Sequence, residues 1–278
     1  MYQMENTESI KRQIIELINN KLLEKVIDIK TLPASGSSRI YFRVITENKT
    51  LIATYNSNIE ENNAFLVFDK HFENKKLPVP EILAVSDDKS CYIQSDLGDV
   101  TLFDYVKKCL KNGVYDEDTV ALYKDTILNL VDFQIKGYED LNFSVAYPTH
   151  SFNKDSIIDD LNYFKYYFLK VNDEINFNET RLNKDFQALA DFAMNAPSDF
   201  FMYRDFQSRN VMIKDNSTYF IDFQGGRKGP LQYDIVSLLY QVKAQIPNDV
   251  RKKLLDFYKE KLSVFINVES INFDKYYK

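Results

Sequence analysis

The chain has 278 residues, 45% of them hydrophobic, which is enough to bury a large core and too apolar for a disordered segment. Its 35 basic and 41 acidic residues leave a net charge of -6, with no basic run or basic–aromatic stripe, which argues against nucleic-acid and anionic-membrane partners. No apolar stretch approaches the ~20 residues that cross a bilayer.

Met1-Tyr2-Gln3-Met4-Glu5 lacks the basic-then-apolar order of a signal peptide, so the expected location is cytoplasmic. Cys91 and Cys109, without a CxxC motif, fit reduced thiols there. His71 and His150 are isolated, which argues against structural zinc.

The first predicted element is an amphipathic helix over 9–24, with Ile10, Ile14, Leu17, Ile18 and Leu22 on one face. Strands are expected over 26–30, 40–45 and 51–55, separated by Pro33-Ala34-Ser35-Gly36-Ser37-Ser38 and by the turn Glu47-Asn48-Lys49. A helical period follows over 60–74. Beyond Pro78-Val79-Pro80, the runs 82–85 and 91–94 flank Asp87-Asp88-Lys89 as a hairpin.

Ser95-Asp96-Leu97-Gly98-Asp99 reads as a polar hinge, after which helical patterns dominate: 101–111, 117–136, 154–171, 179–195, 233–245 and 249–266. The expectation is an α+β, two-lobed fold. An N-terminal lobe of 1–95, with a five-stranded antiparallel sheet and a helix, joins through 96–99 to a larger, mainly helical lobe of 100–278.

A hairpin interrupts the helical part. Val211-Met212-Ile213-Lys214 and Tyr219-Phe220-Ile221 flank Asp215-Asn216-Ser217, which sets Asn210 before the first strand and Asp222 after the second, at one end of the hairpin. Upstream lies Tyr203-Arg204-Asp205-Phe206-Gln207. An acid followed five residues later by an amide and then, past a hairpin, by a second acid is the equipment of phosphoryl transfer. Asp205 is the candidate base, and Asn210 and Asp222 the candidate Mg²⁺ ligands for ATP. A chance Asp/Asn spacing is easy in this composition; the hairpin with Asp222 is what lifts it above chance.

Ser35, Gly36, Ser37 and Ser38 lie in a loop between two strands, where backbone N–H groups and hydroxyls can meet phosphates, although such a loop is also an ordinary strand connection. The third strand, 51–55, has no lysine for the phosphates. Arg39 or Arg43 is the candidate substitute, with Glu60 or Glu61 on the next helix as its partner; of these, Arg43 and Glu61 are taken as the nucleotide-site pair.

The order of elements and four motifs resemble a known family. Leu32-Pro33-Ala34-Ser35-Gly36-Ser37-Ser38-Arg39-Ile40-Tyr41-Phe42-Arg43, Asp96-Leu97-Gly98-Asp99, the segment 203–212, and the segment 221–239 that opens Ile221-Asp222-Phe223-Gln224 are similar to bacterial cell-wall amino-sugar kinases. These belong to the aminoglycoside-phosphotransferase branch of the protein-kinase-like superfamily. The resemblance spans about residues 10–250.

It implies transfer from ATP, with Mg²⁺, to the anomeric hydroxyl of N-acetylmuramate or N-acetylglucosamine in peptidoglycan recycling, and a downstream uridylyltransferase as the partner that uses the product. By it Asp205 is the base, Asn210 and Asp222 bind Mg²⁺, and Gln94, Ser95 and Asp96 meet adenine. Family members commonly show His where Gln207 stands, which makes Gln207 and neighbouring Arg209 candidates for the acceptor side.

Only eleven residues separate Asp222 from Asp234, too few for a peptide-docking activation segment, so the acceptor is expected to be a small molecule. Asp234 opens an apolar helix and is expected to brace the catalytic loop. The aromatics Tyr163, Phe164, Tyr166, Tyr167 and Phe168 are expected to be core, with Asp160 and Tyr163 as candidate hydrogen-bonding partners of a sugar. Two rivals remain: a kinase of an aminoglycoside or other small alcohol, and a catalytically inactive kinase-like binding module.

Overall fold

In the computed structural model, which describes residues 2–33 and 38–277, the chain begins with helix α1 (Tyr2–Lys21) and a five-stranded antiparallel sheet. The strands β1 (Val26–Thr31), β2 (Ile40–Thr46), β3 (Thr50–Tyr55), β4 (Ile82–Val85) and β5 (Cys91–Ser95) lie in the order β1-β2-β3-β5-β4. Helix α2 (Ile59–Asn74) is inserted after β3; the Asn58 side chain caps it by accepting from the Glu61 N–H.

Because side chains alternate across a strand, the register sorts the sheet into two faces. Phe42, Val44, Leu51, Ala53, Cys91 and Ile93 pack beneath Ile10, Ile14, Leu17 and Ile18 of α1 in one apolar cluster. Tyr41, Arg43, Ile52, Tyr92 and Gln94 point the other way and line a cleft. The strong period-2 pattern is why these strands were visible in the sequence.

The helical part comprises α3 (Leu102–Asn112), α4 (Glu117–Ile135), α5 (Lys154–Phe164), α6 (Glu179–Ala193), α7 (Leu231–Leu239), α8 (Asn248–Leu262) and α9 (Phe273–Tyr277). Thr101 and Asp104 form a reciprocal capping box at the start of α3, and Gly113, at φ 73°, ends it. A second core joins α2, through Phe65, Phe68 and Phe72, to Phe133, Phe201, Tyr203, Phe220 and Phe223. The sheet-bearing part and the helical part therefore meet through aromatic packing on α2.

Two small antiparallel pairs carry the central loops: β6 (Phe200–Met202) with β9 (Arg227–Gly229), and β7 (Val211–Lys214) with β8 (Ser217–Phe220). The β7–β8 turn has Asp215 and Asn216 both at positive φ (51° and 58°), the left-handed backbone that a two-residue hairpin with matching twist requires.

Several expected boundaries are corrected. Helix α1 starts at Tyr2 and stops at Lys21; the expected 154–171 helix ends at Phe164 and continues as a wider π-helical turn, Lys165–Leu169; and the expected 233–245 helix runs from Leu231 to Leu239. The core assignment of the 163–168 aromatics is overturned, since Tyr163, Phe164, Tyr166, Tyr167 and Phe168 are all exposed. Cys91 and Cys109 are free, buried thiols. Among the described residues no helix is long and apolar enough to cross a membrane.

Candidate active site

The cleft under the sheet has a volume of about 660 Å³. Ile52 from β3, Leu97, Met212 from β7 and Ile221 give the cleft apolar lining, and Arg39, Arg43, Asp96, Asp99, Asn210 and Asp222 give it charged and polar lining. A cleft of mixed apolar and charged lining suits a molecule with an aromatic base and a charged tail.

Asn210 and Asp222 line this cleft, and Asp205 meets them through Asn210. Asp205 follows β6, and a single 3₁₀ turn, Ser208–Asn210, leads directly into β7. The Asn210 side chain Nδ2 donates to the Asp205 carbonyl at 2.9 Å and to Asp222 Oδ2 at 3.2 Å, so one amide ties all three residues together. Gln224 Nε2 donates to the other oxygen, Asp222 Oδ1, at 2.6 Å. The Ile221 N–H donates to the Asn210 carbonyl at 3.1 Å, closing the hairpin base.

The backbone here is held in conformations that side chains other than Gly rarely adopt. Arg204 has φ 84° and Asp222 φ 71°, each costing on the order of 1–3 kcal/mol. Buried Asp234, in the first turn of α7, holds the first of these: its Oδ2 accepts from the Tyr203 N–H at 2.8 Å and its Oδ1 from the Arg204 N–H at 3.0 Å. Gln134 also donates to Asp234, at 3.3 Å. Tyr203 Oη donates to the Ile221 carbonyl at 2.6 Å, linking the Asp205 loop to the Asp222 strand end. Asp234 thus braces the loop, as its sequence position suggested.

Electrostatics separate the acids. Burial pushes the Asp205 carboxyl above its ordinary range and nearby Asp222 adds to the effect, while Arg204, Arg209 and Arg227 pull it back. Asp234, wholly buried, is pushed up to about 7 against the lowering effect of its N–H donors.

The donor set fits Mg²⁺. Asn210 uses its amide nitrogen on Asp205 and Asp222, which leaves its Oδ1 as a hard oxygen ligand beside the Asp222 carboxylate. Among the described residues no group of three or more His, Cys, Asp or Glu can hold a metal on its own. Two oxygen ligands completed by phosphate oxygens is the usual Mg²⁺ arrangement.

The remaining sequence candidates divide. Gln94, Ser95 and Asp96 line the cleft, as does Arg209. Gln207 is half-buried between Asp205 and Asn210. Ser35, Gly36 and Ser37 lie outside the described residues; Ser38 donates to Asn56 Oδ1 at 3.5 Å.

The expected Arg43–Glu61 pairing is replaced. Arg43 reaches the 96–99 connection, with Nε 2.8 Å from Asp96 Oδ2 and Nη1 2.6 Å from Asp99 Oδ1. Glu61 instead faces Arg39 Nη2 at 3.7 Å. Both arginines point to the cleft side of β2, and only their position along it decides which acid each meets.

Asp160 is likewise not a free acceptor. Arg204 grips it with both terminal nitrogens, at 2.7 and 2.5 Å, and also donates to Tyr233 Oη at 2.9 Å. Tyr163 is exposed and stacks on Tyr167 with centroids 4.3 Å apart. Sequence reading missed Tyr41, Phe65, Gln224 and Arg227. Tyr41 was legible by alternation from Arg43, whereas buried Arg227 sits in the short, unpredicted strand β9, held by the Gly225 carbonyl and Thr149.

Residues 28–264 match the model of the phosphotransferase enzyme family. A curated relative, the N-acetylmuramate/N-acetylglucosamine kinase of Neisseria meningitidis serogroup B, is 23% identical over 223 residues, covering 78% of this chain and 62% of its own length. This chain thus spans less than two thirds of that relative.

Among solved structures, a choline kinase from Streptococcus pneumoniae superposes with a TM-score of 0.61 at 14% identity, covering 91% of this chain and 80% of its own. A Plasmodium vivax ethanolamine kinase gives 0.60 at 16%, covering 90% and 72%. A spectinomycin phosphotransferase solved with ADP and spectinomycin gives 0.60 at 12%, covering 95% and 83%. The two-lobed, protein-kinase-like α+β fold expected from the sequence is the fold these neighbours share.

Proposed function

The chain belongs to the phosphotransferase enzyme family, and from that premise we propose that it transfers the γ-phosphoryl group of ATP to the anomeric hydroxyl of an N-acetylated amino sugar. The observation that carries this reading is the tie between Asp205, Asn210 and Asp222 through one side-chain amide at the cleft. Residues 1–95 act as the nucleotide lobe, 96–99 as the hinge, and 100–278 as the catalytic and acceptor lobe. Adenine lies in the cleft, against Gln94 to Asp96.

Asp205 accepts a hydrogen bond from the acceptor hydroxyl and orients it for in-line attack, taking its proton as the bond to the γ-phosphorus forms and the bond from that phosphorus to the bridging oxygen breaks, releasing ADP. Its upward-shifted carboxyl makes it a better base than a solvated aspartate. An anomeric hydroxyl, more acidic than an ordinary alcohol, narrows the remaining gap. Asn210 Oδ1 and the Asp222 carboxylate would hold Mg²⁺, which would supply charge neutralisation on the phosphates.

The acceptor assignment draws on the Neisseria relative, named for N-acetylmuramate and N-acetylglucosamine. The exposed Tyr163–Tyr167 stack, on the helix whose Asp160 grips Arg204, offers an aromatic face for the apolar side of a pyranose. Of the acids a polycationic aminoglycoside could use, Asp160 is already paired with Arg204, whereas Asp159, Asp173 and Glu174 are exposed. Product would be a sugar 1-phosphate, the substrate class of a uridylyltransferase.

An ADP-release assay over N-acetylmuramate, N-acetylglucosamine, hexoses, aminoglycosides and choline tests the proposal. Turnover restricted to the N-acetylated sugars is expected; turnover of aminoglycosides or choline alone would reject it.

A further inference from the structure

The third strand supplies no cation to the cleft. Alternation puts Leu51 and Ala53 under α1, so the cleft-facing positions of β3 are Ile52 and Thr54, both uncharged. In register, Ile52 lies opposite Arg43 and Thr54 opposite Tyr41, which places Arg39 two residues further along the same face of the neighbouring strand. Arg43 is held at the hinge end by Asp96, Asp99 and the Gly98 carbonyl.

Arg39 lies four residues before Arg43, away from that cluster. Its side chain is 1% exposed, yet it lines the same cavity as Asn210 and Asp222. Its Nη2 lies 3.7 Å from Glu61 Oε1 in the first turn of α2, and its Cζ lies 5.7 Å from the centroid of the Phe65 ring. Glu61 is itself fixed, since Asn56 Nδ2 donates to its Oε2 at 2.7 Å. A guanidinium set by an acid and an aromatic face, and lining the cleft, is pre-organised to receive a second anion.

We propose that Arg39 is the nucleotide's phosphate-binding cation, delivered from the start of β2 in place of a residue on β3 and anchored by Glu61. This rests on the ATP-dependent reading above. Its fork would meet the α- and β-phosphate oxygens from the sheet side, while Asn210 and Asp222 hold the metal from the hairpin side. The planar guanidinium offers two parallel donors to a phosphate and stays charged at any working pH.

Calorimetric titration of the full-length protein with ADP and, separately, with adenosine tests this. Arg39→Ala is expected to weaken ADP by about 10- to 100-fold while leaving adenosine affinity unchanged, because only ADP carries the phosphates. Arg39→Gln, which keeps a hydrogen-bonding group beside Glu61 without the charge, gives the same selective loss and serves if the alanine variant does not fold. Unchanged ADP affinity, or equal loss of ADP and adenosine, would overturn the proposal and leave Arg39 as a strut for α2. Wild-type protein that binds neither ligand would overturn the ATP-dependent reading, and this proposal with it.

Discussion

Replacing Asp234 with alanine separates the site from the stability of the fold. The change removes the acceptor of two backbone N–H groups, those of Tyr203 and Arg204. Each orphaned donor costs about 1–3 kcal/mol, so about 2–6 kcal/mol is lost. Against this, the wild-type carboxyl is buried and its pKa is pushed from 3.8 up to about 7, so at neutral pH the readier ionisation of the unfolded chain already costs the fold on the order of 4 kcal/mol.

The two effects nearly cancel at neutral pH, and the variant should be folded there, within about 2 kcal/mol of wild type. The sign of the pH dependence follows. A carboxyl whose folded pKa is raised contributes most below its unfolded value and loses that contribution as pH rises through about 7. Wild type therefore loses about 1.4 kcal/mol per pH unit between about pH 5 and about pH 7, and the alanine variant does not.

Denaturant unfolding at both pH values should show the stability gap to be on the order of 3 kcal/mol wider at the acidic end. Activity should behave differently: without its brace, Arg204 at φ 84° relaxes, Asp205 shifts, and kcat falls by about 100-fold at neutral pH. A stability gap independent of pH, or full kcat in the variant, would refute the reasoning.

Other substitutions probe the rest of the site. Asp205→Asn should lower kcat by about 10²–10⁴ with ADP affinity unchanged, and retention of near-wild-type kcat would remove it as the base. Asp160→Ala breaks a partly exposed pair, so stability should move by only about 1 kcal/mol while kcat drops on the order of tenfold with the KM for ATP unchanged; Asp160→Glu should recover most of the loss, and equal rates in wild type and alanine would show the Arg204 bridge to be idle. Asp69, buried on α2 with Oδ2 lacking a hydrogen-bond partner among the described residues, is pushed up to about 8 by burial, so it too destabilises the fold as pH rises. Asp69→Asn should raise stability at neutral pH by on the order of 2–4 kcal/mol, fading toward about pH 4, and a variant less stable than wild type at neutral pH would contradict this.

The sheet and the β7–β8 hairpin were legible because both write strict local rules into the sequence: alternation in β2, β3 and β5, and Asp215-Asn216 at a turn that needs positive φ. The meeting of Asp205, Asn210 and Asp222 was legible for the same reason, since the hairpin fixes where Asn210 and Asp222 emerge. What failed depends on distant partners. Arg39 and Arg43 share one face, and only the placement of α2 and the 96–99 connection gives Glu61 to the first and Asp96 to the second.

The 163–168 aromatics read as core by type, but their helix buries Ile157 and Lys165, and the rings pair with each other at the surface. Lys165 takes the inward place because Asn183 and Glu179 on the neighbouring helix α6 receive its ammonium. Strand β9, Arg227-Lys228-Gly229, has no strand-like composition and exists because β6 pairs with it. Gly226 before it has no room for a side chain, since a Cβ there would sit 2.5 Å from the Phe201 ring.

Phosphorus NMR of the reaction of wild-type protein with ATP, Mg²⁺ and N-acetylmuramate tests the central claim most directly. A new phosphomonoester signal coupled to the C1 proton is expected, together with inertness of the O1-methyl glycoside. A phosphomonoester coupled to any other sugar proton, or phosphorylation of the methyl glycoside at the same rate as the free sugar, would contradict it.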